Sequence, residues 1–284
     1  MSVLRFLLLS FLLIPLLCGC VQQQMRAQVR ESRVVVLDIG HWYKPGLGGQ
    51  GARMPDARYG AIEECEFWYR YALYTKRVIE QAGYDVRICN RADIPTDAKL
   101  AKAAQEAGVH HVKTPLPNAV YRSKYHPRRM AVGMLSADWA LDQHPACVVF
   151  LHHNSRTEDW QVYTKGAMYC NEEGTSLAEA MAATLNATIF DHGMPNHGEP
   201  CGIIIRNDGR RGGGDWLNTC NESYVPAVIT EAAFLSNPEH AAFLGKHANA
   251  VRYAQAIGHG IVDYLRTRGT KNELKKAGES YPRG

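Results

Sequence analysis

Val225-Pro226-Ala-Val-Ile-Thr-Glu231-Ala-Ala-Phe-Leu-Ser-Asn237-Pro238-Glu239 joins two local signals end to end. The apolar, β-branched run from Val225 to Thr230 predicts a short strand buried on both faces. It ends in a carboxylate, Glu231, and then enters a helix start. Asn237 is the cap, Pro238 takes the first helical position and Glu239 complements the helix dipole. A carboxylate at the carboxyl end of a buried strand stands where open α/β sheets keep their chemistry. The rival reading of Glu231 is a solvated loop acid.

Working outward, the same ending recurs. Ser32-Arg-Val-Val-Val-Leu-Asp38-Ile-Gly40-His41 predicts a buried strand that delivers an imidazole after a glycine turn. Pro145-Ala-Cys147-Val-Val-Phe-Leu151-His152-His153-Asn154 predicts another that ends in histidine. Side chains alternate along a strand, so His152 and His153 face opposite ways and one of them can join a cluster at the sheet edge.

Between the first two of these strand ends, Glu63-Glu64-Cys65-Glu66 opens a helix running to about Ala82 and stopping at Gly83. At helical spacing Tyr71, Thr75, Val78 and Ala82 share a face with Glu64, flanked by Phe67, Trp68 and Ile79. Glu64 therefore points inward from the first turn, and a buried carboxylate needs a partner or a metal. Glu63 and Glu66 read as solvated first-turn acids.

Further strands are predicted over Gly83–Arg91, Gly166–Cys170 and Gly202–Arg206, with helices over Asp97–Ala107, Arg128–Gln143, Ser176–Phe190 and Pro238–Leu265. Gly46–Gly51 and Arg210–Asp215 read as loops, His110-His111 as a surface feature, and the tail from Thr267 as polar and frayed. Alternating strands and helices predict an α/β fold: one domain, a mostly parallel twisted sheet with helices on both faces.

Composition narrows the class. The formal charge of +4 is mild, and no lysine/arginine tract marks nucleic-acid binding; it suits a partner of anionic character. A basic start (Met1–Arg5), an apolar stretch (Phe6–Leu17) too short to span a membrane comfortably, and Leu17-Cys18-Gly19-Cys20 form a secretory leader. The Leu-x-Gly-Cys ending resembles the bacterial lipobox, which implies cleavage before Cys20 and lipidation of that cysteine. A plain signal peptide is the alternative. The expected organisation is a leader over 1–19, a tether over 20–32, a catalytic domain over 33–268 and a polar tail over 269–284. Six cysteines follow Cys20 without a CxxC pair, so disulfides are permitted in an exported chain; Cys201 and Cys220 are the favoured pair.

In a parallel sheet the His41, His152 and Glu231 strand ends converge on one edge, joined by Glu64. Two neutral imidazoles and one carboxylate around an open position make a catalytic zinc site. A further carboxylate nearby would shuttle protons. The bland alternative is a set of unrelated polar residues at strand ends.

Four stretches then carry a resemblance: Leu37-Asp38-Ile39-Gly40-His41, Glu64 at its helix start, Phe150-Leu151-His152-His153-Asn154, and Pro226 to Asn237. Over about Val34 to Leu265 the chain resembles the zinc-dependent N-acetylmuramoyl-L-alanine amidases of the Amidase_3 type. The resemblance implies His41, Glu64 and His152 as zinc ligands and Glu231 as the catalytic carboxylate. Asn154 and Arg206 are expected at the substrate. It also implies a peptidoglycan or muropeptide substrate. The lipobox-like ending at Cys20, with Val21 rather than Asp behind it, adds the expectation of a lipid-anchored protein of the envelope, on the outer membrane facing the periplasm. An activator protein is a candidate partner. Trp42, Trp68 and Ala233 depart from the family pattern, and 92–127 is a candidate lid. The rivals are a related zinc amidohydrolase or carboxypeptidase on small N-acyl amino acids or peptides, and an inactive wall-binding lipoprotein.

Overall fold

The computed structural model describes residues 32–40, 43–44, 48–49, 52–54, 62–90, 97–111, 145–154, 167–170, 174–194, 201–205 and 225–279, with side chains of the last helix described to 268. The leader, the tether up to residue 31, the helix expected over Arg128–Gln143 and the loop over Arg210–Asp215 lie outside these residues.

Among the described residues seven strands form one sheet: β1 (Val34–Ile39), β4 (Asp85–Asn90), β5 (Val109–His111), β6 (Cys147–Leu151), β7 (Ala167–Cys170), β8 (Gly202–Ile205) and β9 (Ala227–Glu231). Their order is β5-β4-β1-β6-β9-β7-β8. The first five run parallel; β7 turns antiparallel against β9 and carries β8 parallel to itself. The mostly parallel α/β sheet expected from the alternating pattern is therefore present. A two-stranded ladder of β2 (Tyr43–Lys44) and β3 (Gly48–Gly49) stands apart, part of it inside the stretch read as loop.

Register explains the packing. Leu37 pairs with Ile88 and Val149, and Val149 with Val228, so one row of apolar side chains crosses the sheet. This row faces helices α1 (Glu64–Gln81), α3 (Thr175–Thr188) and α5 (His247–Glu279) in a single core, to which the short helix α4 (Pro238–Leu244) adds Ala241, Phe243 and Leu244. The residues on the other face, Val36, Val148, Phe150 and Ile229, are also buried, so both faces are covered. The helices meet closely: Thr75 Oγ1 donates to Ala254 O at 2.8 Å, and a Cβ at Gly260 would stand 2.5 Å from Met181 Cα. Side chains larger than hydrogen would push α5 off α3 there.

Helix α2 (Ala98–Ala107) begins where Asp97 accepts the Leu100 N–H at 2.9 Å, and buries Leu100, Ala104 and Ala107 in the same core. With β5 it belongs to the body of the domain; residues 112–127 of the candidate lid lie outside the described residues. Of His110-His111, read as a surface feature, His110 is exposed on the strand β5, whereas His111 is half-buried and stacks on Tyr69 with centroids 6.0 Å apart. Helix α5 continues to Glu279, through the tail read as frayed. Its Glu-Leu-Lys-Lys-Ala composition consists of good helix formers, which the polar average conceals. Among the described residues no helix is long and apolar enough to cross a membrane.

Cys201 corrects an expectation: it is a free thiol, 5 % exposed, so the favoured pair with Cys220 (outside the described residues) is not formed. Its Sγ donates to Gly202 O at 3.9 Å, and burial pushes the thiol up to about 12.

Candidate active site

The site gathers at the carboxyl ends of β1, β6 and β9. Leu151 pairs with Thr230, which brings the next residues, His152 and Glu231, to neighbouring strand ends. Gly40 N–H donates to Leu151 O at 3.0 Å, so the end of β1 lies against the same place. An added Cβ on Gly40 would meet Cε1 and Nε2 of His152 at 2.4 Å. Glycine is required here because the imidazole packs directly over the main chain.

Glu64 reaches this edge from the first turn of α1. Among the described residues no side chain caps the helix; a short backbone ladder leads into it instead, with Arg53 bridging to Glu63 and Glu64 N–H donating to Ala52 O at 2.9 Å. The carboxylate is 1 % exposed. Its Oε2 accepts the Ala52 N–H at 2.9 Å, its Oε1 accepts the His153 N–H at 2.8 Å, and Oε1 lies 3.0 Å from His152 Nδ1. The inward direction read from the helical period is thus observed, and Glu64 and His152 meet.

Glu231 is buried at the end of β9, and its Oε2 has no hydrogen-bond partner among the described residues. Burial, and then the nearby Glu64 carboxylate, hold its carboxyl well above the usual carboxylate range. Asn154 joins the site through its backbone: its N–H donates to Ala233 O at 2.8 Å and its carbonyl accepts from Leu235 N at 3.1 Å. These bonds tie the loop after Glu231 to the loop after His152. His41, Arg206 and Cys20 lie outside the described residues. Glu63 and Glu66, read as solvated, are half-buried, and burial raises both carboxyls. Glu63 lies 3.8 Å from Arg53 Nη1.

Sequence reading missed three supports. Thr230 Oγ1 accepts the His152 N–H at 3.1 Å and donates to its carbonyl at 3.1 Å, locking the strand end. Asn90 Nδ2 donates to Ile39 O at 2.8 Å while its Oδ1 accepts from Tyr69 Oη at 2.9 Å, which fixes the end of β1. His240 Nδ1 accepts the Phe234 N–H at 3.0 Å and holds the loop beyond Glu231. A polar residue inside an apolar strand is a visible signal for Thr230; nothing local marks Asn90, which ends a strand of mixed polarity, or His240.

A buried imidazole and carboxylate in contact fit shared cation binding. Bonds of about 2.0–2.2 Å to one tetrahedral cation put two donor atoms roughly 3.4 Å apart, a few tenths beyond the observed spacing. The unpartnered Glu231 oxygen beside them adds a polar atom that a water or ligand would satisfy. Among the described residues no group of three potential ligands stands together.

Residues 35–263 match the family model described as N-acetylmuramoyl-L-alanine amidase. The fold is similar to that of the amidase AmiC2 of Nostoc punctiforme (19% identity, 82% of this chain and 97% of that one, TM-score 0.52). It is also similar to the catalytic domain of CwlV from Bacillus (Paenibacillus) polymyxa (18% identity, 82% and 98% covered, TM-score 0.50). A third similar structure is the CwlD amidase of Clostridioides difficile, in complex with the GerS lipoprotein (18% identity, 82% and 98% covered, TM-score 0.50). No curated protein sequence matches.

Proposed function

Because the chain belongs to the Amidase_3 family of N-acetylmuramoyl-L-alanine amidases, we propose that it hydrolyses the amide between the lactyl group of N-acetylmuramic acid and L-alanine in peptidoglycan, with zinc. The observation that carries this reading is the buried Glu64–His152 contact beside Glu231.

Glu64 and His152 would hold the cation together with His41. When bound, it supplies Lewis-acid polarisation of the scissile carbonyl and of a water. Glu231 takes the water proton as oxygen attacks the carbonyl carbon, and returns it to the alanine nitrogen as the C–N bond breaks. Thr230 and Gly40 hold the His152 main chain and ring in place. Asn154 and Arg206 are assigned to the substrate.

The leader and Cys20 support a lipid-anchored envelope protein, on the outer membrane facing the periplasm. The related amidohydrolase reading separates by substrate. Assays of muropeptides against N-acyl amino acids and small peptides should give turnover on muropeptides alone; preferred turnover of the small substrates would overturn the assignment.

A further inference from the structure

His153 takes the side of the sheet opposite His152. It is 2 % exposed and sits in a slot of aromatic rings. Trp68 stacks on it with centroids 5.0 Å apart and planes at 13°, Phe67 meets it edge-on at 4.6 Å, and Tyr253 lies at 5.6 Å. Neither ring nitrogen has a hydrogen-bond partner among the described residues, so the rings around it hold the side chain by packing. What the residue offers the site is its main chain, whose N–H donates to Glu64 Oε1 at 2.8 Å. That oxygen is also the one 3.0 Å from His152 Nδ1.

The connection closes a rigid loop. Phe67 and Trp68 follow Glu64 by one turn on the same face of α1, so the helix fixes the carboxylate relative to the rings. The rings fix His153, and His153 N–H fixes Oε1. Trp68, one of the departures from the family pattern, is thereby explained as the partner of His153.

We propose that His153 is a positioning residue, whose ring, wedged between Trp68, Phe67 and Tyr253, holds its N–H against Glu64 Oε1 and so aims the carboxylate at the cation shared with His152. This rests on the metal reading above. The planar ring does the positioning; the ring nitrogens do not.

The test is metal uptake by the demetallated full chain, read by the visible absorption of added Co(II) and by zinc competition against a chromophoric chelator. His153→Ala should bind about 10–100-fold more weakly, as expected when a group orienting a ligand is lost, and its Co(II) spectrum should change. His153→Phe, which keeps a ring in the slot, should match wild type in both readouts. Trp68→Leu, which removes the stacked plane but keeps the slot apolar, should weaken binding from the helix side and serves if His153→Ala does not fold. Wild-type affinity and spectrum in folded His153→Ala or in Trp68→Leu would overturn the proposal, as would a His153→Phe as weak as His153→Ala. A wild-type chain that takes up no Co(II) or zinc overturns the metal reading and this proposal together; normal wild-type uptake with an unaffected variant overturns this proposal alone.

Discussion

Gly40 lies directly against the imidazole of His152, so close that a Cβ on the glycine would stand 2.4 Å from two ring atoms. The ring can occupy its place only because this position carries no side chain. Gly40→Ala should therefore tilt or displace His152, lowering stability by about 1–3 kcal/mol as overpacked sites do. Zinc affinity should fall with it. Denaturant unfolding and zinc competition check both; an unaltered affinity would mean the ring moves without consequence.

Glu231→Gln keeps the shape of the strand end and removes the proton acceptor. Turnover should drop by about 10²–10⁴-fold while bound zinc is retained. His152→Ala should lose turnover and zinc together. Metal analysis of both purified variants separates the two roles, and a near-normal rate in Glu231→Gln would remove the proton-shuttle assignment.

Thr230→Val replaces a hydroxyl that serves both the N–H and the carbonyl of His152. The valine leaves a buried donor without its partner, at a cost of about 1–3 kcal/mol. Unfolding midpoints with and without zinc should show the loss, together with a reduced rate.

Burial lowers the His153 imidazole to about 3, against an ordinary value of 6.5. Below about pH 6.5 the unfolded chain takes up a proton that the folded chain refuses, so stability falls as pH drops toward 3 and is complete above that range. The slope is at most about 1.4 kcal/mol per pH unit. Chelator-treated wild type should show this acid loss in denaturant titrations between pH 7.5 and pH 4.5, and His153→Phe should lack that part of it.

Much of this centre was legible in local pattern. The β-branched run into Glu231 became β9, and Asn237 accepts from Glu239 N and His240 N as the cap requires. The helical period turned Glu64 inward, as observed. Alternation said that His152 and His153 diverge, and the structure shows where the second goes: into an aromatic slot built by α1 and α5, elements far away in sequence. Such long-range packing leaves no local trace, and the same holds for the antiparallel turn of β7 and for the free thiol of Cys201. The glycine of Gly40-His41 was read as a turn former; its second use, contact with His152, depends on a strand partner more than a hundred residues away.

The proposed lipid anchor has its own test. Cys20→Ser should move the protein from the membrane fraction to the soluble fraction and abolish incorporation of labelled fatty acid. Unchanged fractionation would favour a different mode of retention.

The most direct measurement is mass analysis of purified peptidoglycan digested by the full chain, with and without a metal chelator. The account predicts free stem peptides beginning at L-alanine and glycan with an intact lactyl group, absent with chelator and restored by added zinc. Cleavage at another bond, or the same products undiminished by chelation, would contradict it.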